Sequence, residues 1–104
     1  MGDVYGAVAD PTRRQLIRLL AETYELPLHE MTSRFPVGRT AVSKHLAILR
    51  SAGLVTVRKS GRESRYHLNA APLREIQEWV SFYDRFWTEQ ITNLKNLLED
   101  EENT

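Results

Sequence analysis

Apolar residues recur every three or four positions along most of this chain, which is the spacing of helices with one buried face. A helix is predicted to start at Asp10-Pro11, because Asp accepts a hydrogen bond from an early N–H and Pro at the first helical position loses no needed donor. A shorter helix is predicted before it, around residues 4–8, and another over residues 28–35.

The next helix is predicted from Arg39 to Ala52, after the tight turn at residues 36–38. Gly53 follows it, where a helix end favours a residue with positive φ. The stripe that this helix turns inward consists of Val42, Leu46 and Leu49.

The period then changes from 3.6 residues to two, which predicts a β-hairpin. One strand covers residues 54–59, a turn covers Ser60-Gly61-Arg62, and the returning strand covers residues 63–68. The apolar positions either share one face or divide between two, so the pattern leaves the register open. They are Val55, Val57, Tyr66 and Leu68.

A long final helix is predicted from Pro72 to about Glu99, followed by an acidic end of the chain. Its apolar positions form two adjacent rows, which is more apolar surface than the preceding 70 residues can easily cover. The pattern leaves open which of these residues pack on the first helices of the same chain and which face a second copy. One row is Ile76, Val80, Tyr83, Trp87, Ile91, Leu94 and Leu98, and the other is Trp79, Phe82 and Phe86.

Composition narrows the class of protein. Of 104 residues, 41% are hydrophobic and 27% charged, as in ordinary globular domains, and there is no cysteine. The chain therefore has no disulfides, thiolate metal sites or thiol redox chemistry. No apolar run approaches the roughly 20 residues of a membrane span, and no signal peptide is recognisable, so we expect a cytoplasmic protein without membrane contact.

The net charge of zero hides two unlike halves. Residues 1–69 carry 11 Lys and Arg against six Asp and Glu, whereas residues 70–104 carry three against eight. The imbalance is sharpest over residues 34–65, where eight basic residues face only Glu63. Such asymmetry is typical of a surface that binds a polyanion, although solvated basic loops also produce it.

The order helix, helix, turn, helix and basic hairpin is that of a winged helix-turn-helix. A helix fits the major groove of DNA, and a basic hairpin can lie against neighbouring phosphates. The alternative is a winged-helix module that binds another protein, which the basic charge disfavours. The predicted DNA-binding residues are Arg39, Thr40, Ser43, Lys44 and His45 on the helix, and Arg58, Lys59, Arg62 and Arg65 on the hairpin.

The stretches AVADPTRRQLIRLL and FPVGRTAVSKHLAILRSAGLVTVRKSGRESRYHLN resemble the ArsR (SmtB-like) family of bacterial winged-helix repressors. The resemblance runs from about Tyr5 to Leu98 and is greatest to members without metal sites, whose C-terminal segments resemble PLREIQEWVSFYDRFWTEQITNL. It implies a homodimer that binds an operator with two-fold pseudosymmetry and represses transcription, although activation remains an alternative.

Other chemistry finds little support. Metal-sensing relatives carry cysteines before the recognition helix or histidines on the last helix, and this chain has neither. The histidines at positions 29, 45 and 67 fall on different elements without ligand spacing. Since there is also no phosphate-binding Gly-rich loop and no nucleophile beside a base, we expect no metal, no cofactor and no enzymatic activity.

We therefore predict a mainly α fold with a small β-hairpin, in a single domain over residues 1–104. Residues 10–69 form its DNA-binding core, and residues 1–9 and 71–99 form dimerisation helices. An aromatic-lined pocket at the dimer interface leaves room for a small apolar effector. The predicted interface residues are Val4, Tyr5, Val8, Trp79, Phe82, Tyr83, Phe86, Trp87, Ile91 and Leu94.

Overall fold

The computed structural model describes residues 3–102 and has mainly helical structure with a small antiparallel sheet. The elements in chain order are α1 (Val4–Val8), α2 (Pro11–Glu22), β1 (Leu26–Pro27), α3 (Leu28–Ser33), α4 (Arg39–Ser51), β2 (Val55–Ser60), β3 (Glu63–Leu68), α5 (Leu73–Ser81) and α6 (Asp84–Glu102). Helices α3 and α4 form the helix-turn-helix pair, and β2 with β3 forms the wing. The predicted fold class is confirmed.

The first helices begin at side-chain caps. The Asp3 carboxylate accepts a hydrogen bond of 2.8 Å from the Tyr5 N–H at the start of α1. The Asp10 carboxylate accepts one of 3.0 Å from the Arg13 N–H at the start of α2, as the Asp10-Pro11 pair predicts. This hydrogen bond lowers the pKa of Asp10 below its ordinary value, because it favours the ionised carboxylate.

Helix α3 is shorter than the pattern predicts. It ends at Ser33 rather than Phe35, since Pro36 disfavours the helical conformation for the residue before it. The inward stripe of α4 is confirmed. One apolar core joins α1 to α4 with the sheet, and its buried members are Val4, Ala7, Leu16, Leu20, Leu26, Met31, Val42, Leu46, Leu49, Leu54 and Val55.

The sheet has three strands in the order β1-β3-β2, all antiparallel. The register pairs Val55 with Leu68 and Val57 with Tyr66, so these four residues share one face. Two strands were predicted. The strand that was not predicted is β1, which has only two residues. It contains no β-branched residue and is too short to show the alternation of apolar and polar residues that indicates a strand.

The contacts divide the chain into two compact units, one ending at Arg74 and the other starting at Glu75. The single final helix of the prediction is two helices, α5 and α6, separated by a turn at Phe82 and Tyr83. The Tyr83 N–H donates to the Val80 carbonyl at 2.9 Å. This bond spans three residues instead of the four of an α-helix, so the backbone adopts a tighter turn here. No helix within residues 3–102 is both long and apolar enough to cross a membrane.

Candidate nucleic-acid interface

Helix α4 carries polar residues on the part of its surface that its buried stripe leaves uncovered. Arg39, Thr40 and Lys44 are exposed on this polar face, and Ser43 is half-buried. Within residues 3–100, whose side chains the structure describes, no Asp or Glu pairs with Arg39 or Lys44. Both cations at the N-terminal end of the helix are therefore available to an external anion.

His45 lies at the edge of α4 and turns toward α2. Its Nδ1 is 3.2 Å from Arg13 Nη1 and 3.9 Å from Asp10 Oδ2. A guanidinium only donates hydrogen bonds, so Nδ1 is the acceptor and the ring proton is assigned to Nε2. The structure therefore gives His45 a partner within its own chain, apart from Arg39, Thr40 and Lys44.

Arg13 is a residue whose role the sequence pattern did not reveal. Besides His45, it donates to the Ala7 carbonyl at 2.7 Å and to the Gly6 carbonyl at 3.2 Å. These carbonyls belong to α1, so one side chain joins α1, α2 and α4. The sequence places Arg13 on the outer face of α2 and contains no indication of these long-range partners.

The four cations of the wing fall into two groups. Arg58 and Arg65 lie directly opposite each other on adjacent strands and share one face of the sheet. Both bind Glu25, whose side chain is only 10% exposed: Arg58 Nε donates at 3.1 Å and Arg65 Nε at 3.0 Å. Arg65 also donates to Glu63 Oε2 at 3.0 Å.

Glu25 offsets the repulsion between these two cations. The hydrogen bond from Arg58 lowers the pKa of the Glu25 carboxyl, and the same contact raises the pKa of Arg58. The side chain of Arg58 stays 60% exposed and that of Arg65 30%. Glu25 was not among the predicted site residues, because it is far from Arg58 and Arg65 in the sequence and only the fold brings the three side chains together.

Lys59 and Arg62 differ from these two arginines. Both are exposed, with Lys59 near the end of β2 and Arg62 in the turn. No ion pair joins either of them to another of the side chains described over residues 3–100. The unpaired positive charge of the wing therefore lies at its tip.

Comparison with known proteins agrees with this geometry. Residues 10–57 match the family described as bacterial regulatory protein, arsR family. The HTH-type transcriptional regulator Rv2034 of Mycobacterium tuberculosis is 37% identical over 95 residues, which cover 91% of this chain and 85% of the relative. The chain belongs to the ArsR family.

Two further comparisons agree with this ArsR assignment. The transcriptional repressor SdpR of Bacillus subtilis is 29% identical over 80 residues, covering 77% of this chain and 88% of the relative. A crystal structure described as a possible transcriptional regulator for arsenical resistance superimposes with a TM-score of 0.71 at 35% identity, covering 85% and 92% of the two chains. This ArsR-family chain is thus a DNA-binding transcriptional regulator and not an enzyme.

The predicted dimer residues of this ArsR-family chain are distributed unevenly. In α1, Val4 is buried in its own unit, Val8 is half-buried and Tyr5 is exposed. The predicted residues of the second unit are all exposed in the single chain, from Tyr83 at 41% to Phe82 at 80%. They are Trp79, Phe82, Tyr83, Phe86, Trp87, Ile91 and Leu94.

An aromatic concavity of about 260 Å³ lies within this second unit. Its walls are Trp79, Val80, Tyr83 and Trp87. The predicted effector pocket needs such an aromatic and apolar lining. The binding of a small apolar effector stays a prediction.

The histidines are dispersed, as the sequence predicts. His29 Nδ1 is 3.7 Å from Glu63 Oε1, and the His67 ring is 5.2 Å from that of Tyr24. Within residues 3–100, no three His, Asp or Glu side chains gather closely enough to hold a metal ion. Independence from metal stays a prediction.

Proposed function

We propose that the protein is a homodimeric repressor that binds a pseudopalindromic operator by placing the N-terminal end of α4 in the major groove. The observation that carries this proposal is the exposed polar face of α4, where Arg39 and Lys44 have no acidic partner among the side chains of residues 3–100. Arg can bind O6 and N7 of guanine, and Lys can bind phosphate.

Dimerisation is supported by the large apolar side chains that α5 and α6 leave exposed. Aromatic residues dominate the energetics of protein interfaces, and an apolar surface of this extent is typical of one. A two-fold dimer presents two copies of α4, which suits half-sites about 34 Å apart along DNA. Because Val4 is buried in its own unit, Tyr5 and Val8 are the α1 residues that keep surface for a partner.

Repression is supported by the name of SdpR as a transcriptional repressor. We further propose that DNA binding is independent of metal, because the chain has no cysteine and its three histidines occupy separate elements. A protein that acts on chromosomal DNA works in the cytoplasm, and we propose that location.

The test starts with genomic fragments selected by the wild-type protein. Mobility shifts then compare Arg39→Ala, Lys44→Ala and the double variant on one selected fragment against mixed-sequence competitor. We expect the Arg39 variant to lose about 1–3 kcal/mol of discrimination, because it removes a contact to a base. The Lys44 variant should bind both DNAs more weakly at unchanged discrimination, and the double variant should combine the two losses.

Arg85→Ala is the matched control, since Arg85 is an exposed cation of α6 that pairs with Glu89 at 3.6 Å. It should bind like the wild type. The double variant should keep the oligomeric state of the wild type, measured by light scattering. A wild-type protein that retains no genomic fragment at low salt, or a double variant that is monomeric or unfolded, would contradict the roles assigned to α4.

A further inference from the structure

An open groove with a volume of about 450 Å³ separates α4 from the wing sheet. Its helix wall includes Ser43 and Arg50, and its sheet wall includes Tyr66 of β3. The sequence pattern assigned neither Arg50 nor Tyr66 to DNA binding.

The helix wall of the groove continues the polar face of α4. At about 100° per residue, Arg39, Ser43 and Arg50 fall within about 40° of one another around the helix. Arg50 is exposed in the last turn, and it forms no ion pair with another side chain of the described residues 3–100. The helix wall therefore carries a cation, Arg50, and Arg39 lies about one turn before Ser43 on the same side of α4.

The sheet wall is fixed by the register. Tyr66 pairs with Val57, so the residue two positions along β2, Lys59, lies on the same face of the sheet as Tyr66. Arg58 and Arg65 lie on the other face, where Glu25 binds both. The face that borders the groove thus carries the unpaired cation, and the opposite face carries the neutralised pair.

The length of α4 indicates which part of DNA reaches this groove. Arg39 and Arg50 are 11 positions apart, or about 16 Å along the helix axis, whereas the major groove is about 8.5 Å deep. Since α4 is proposed to enter the major groove by its N-terminal end, Arg50 lies outside the major groove when the Arg39 end contacts bases. The sugar–phosphate backbone forms the edge of the major groove, and phosphates are the ligands of exposed Arg and Lys side chains.

We propose that the groove between α4 and β3 binds the DNA backbone. Arg50 contacts a phosphate from the helix wall, and Tyr66 donates its hydroxyl hydrogen from the sheet wall. Lys59 contacts a phosphate from the same face of the wing, beyond the groove. Arg58 and Arg65 make no phosphate contact, because Glu25 holds them on the opposite face. This assignment rests on the DNA-binding function and adds the residues that position the duplex independently of its sequence.

The experiment measures the affinity for mixed-sequence duplex DNA at a series of salt concentrations. Each phosphate contact contributes about one to the slope of log affinity against log salt, because binding releases counterions. We expect Arg50→Gln and Lys59→Gln each to reduce the slope by about one per bound protomer. Arg58→Gln tests the other half of this proposal, which departs from the sequence prediction that Arg58 binds DNA, and its slope should equal that of the wild type.

Two further variants separate charge from structure. Arg50→Lys keeps the cation and should restore the slope, whereas Tyr66→Phe removes a neutral donor and should weaken binding about tenfold at an unchanged slope. An unchanged slope in Arg50→Gln, or an Arg58→Gln slope that falls as far as that of Lys59→Gln, would overturn the groove assignment alone. A wild-type protein that binds no duplex DNA would overturn the DNA-binding function together with it.

Discussion

The ionisation of Glu25, which binds Arg58 and Arg65 of the wing, makes folding stability depend on pH. Hydrogen bonds from Arg58 and Arg65 stabilise its carboxylate, so its pKa in the folded protein lies below the ordinary value of 4.5. Between these two pKa values the unfolded chain binds the extra proton, and folding stability therefore rises with pH. The stabilisation is fully present above pH 4.5 and is lost as the pH falls through the folded pKa.

We expect Glu25→Gln to be less stable than the wild type at pH 7 and to lose less stability on acidification. Urea unfolding at pH 7 and at several values below pH 4.5 measures both effects. Glu22→Gln is the matched control, because it removes a carboxylate that is exposed at the end of α2. If Glu25→Gln and wild type lose stability in parallel on acidification, the pairing with Arg58 contributes nothing to folding.

The same residue shows where prediction from sequence stops. Arg58 and Arg65 could be recognised as wing cations from the hairpin pattern alone. Their neutralisation depends on a carboxylate 33 and 40 positions away in the chain, and only the folded sheet brings it to them. His45 is similar, because its partner Arg13 lies 32 positions earlier.

Local patterns predicted most elements because their causes are local. Asp10-Pro11 caps α2, and Gly53 ends α4 with a φ of +79°. The missed features depend on tertiary structure or on weak local preferences. Strand β1 is defined only by pairing with β3, and the turn after Ser81 follows residues of middling helix propensity.

Gly53 allows α4 to turn into β2. Its N–H donates to the Arg50 carbonyl at 3.0 Å, and the Leu54 N–H donates to the Leu49 carbonyl at 2.9 Å. This pair of hydrogen bonds is a Schellman motif, which needs a left-handed residue at Gly53. The reversal also brings Leu54 into the core, where it is fully buried.

We expect Gly53→Ala to lose about 1–2 kcal/mol, because a Cβ is strained at this φ. A thermal melt should show a Tm lower by about 4–8 °C for each kcal/mol. Gly53→Asn is the control, since Asn is larger but tolerates the left-handed conformation. A Cβ would meet Pro72 Cγ at 3.6 Å, an ordinary contact. A larger loss of stability for Gly53→Asn than for Gly53→Ala would therefore show that steric crowding, and not the positive φ, causes the destabilisation.

At the scale of the whole molecule, the basic residues are concentrated in the first part of the chain and the acidic residues in the last part. Eight of the eleven basic residues before position 70 lie between positions 34 and 65, in or beside α4 and the wing, whereas the acidic excess after position 70 belongs to α5, α6 and the end of the chain. A repressor needs its DNA-binding helices at a fixed spacing, and the proposed dimer supplies that spacing. DNA affinity should consequently depend on residues of α6 that contact no DNA.

Ile91 and Thr92 offer a direct comparison on α6. Both are exposed in the single chain, but Ile91 lies on the apolar row with Trp87 and Leu94, whereas Thr92 lies on the polar side about 100° away. We expect Ile91→Glu to convert the dimer into monomers, because a two-fold interface would bury the new carboxylate twice without a partner. Thr92→Glu adds the same charge and should remain dimeric.

Light scattering over a range of protein concentrations measures the oligomeric state, and mobility shifts on a selected genomic fragment measure DNA binding. Ile91→Glu should raise the dimer dissociation constant by on the order of a thousandfold, because about 2 kcal/mol is lost at each of the two copies of this position. Its operator affinity should fall with it, although its DNA-binding residues are intact. A monomeric wild type, or an Ile91→Glu protein as dimeric as Thr92→Glu, would exclude this face as the dimer interface.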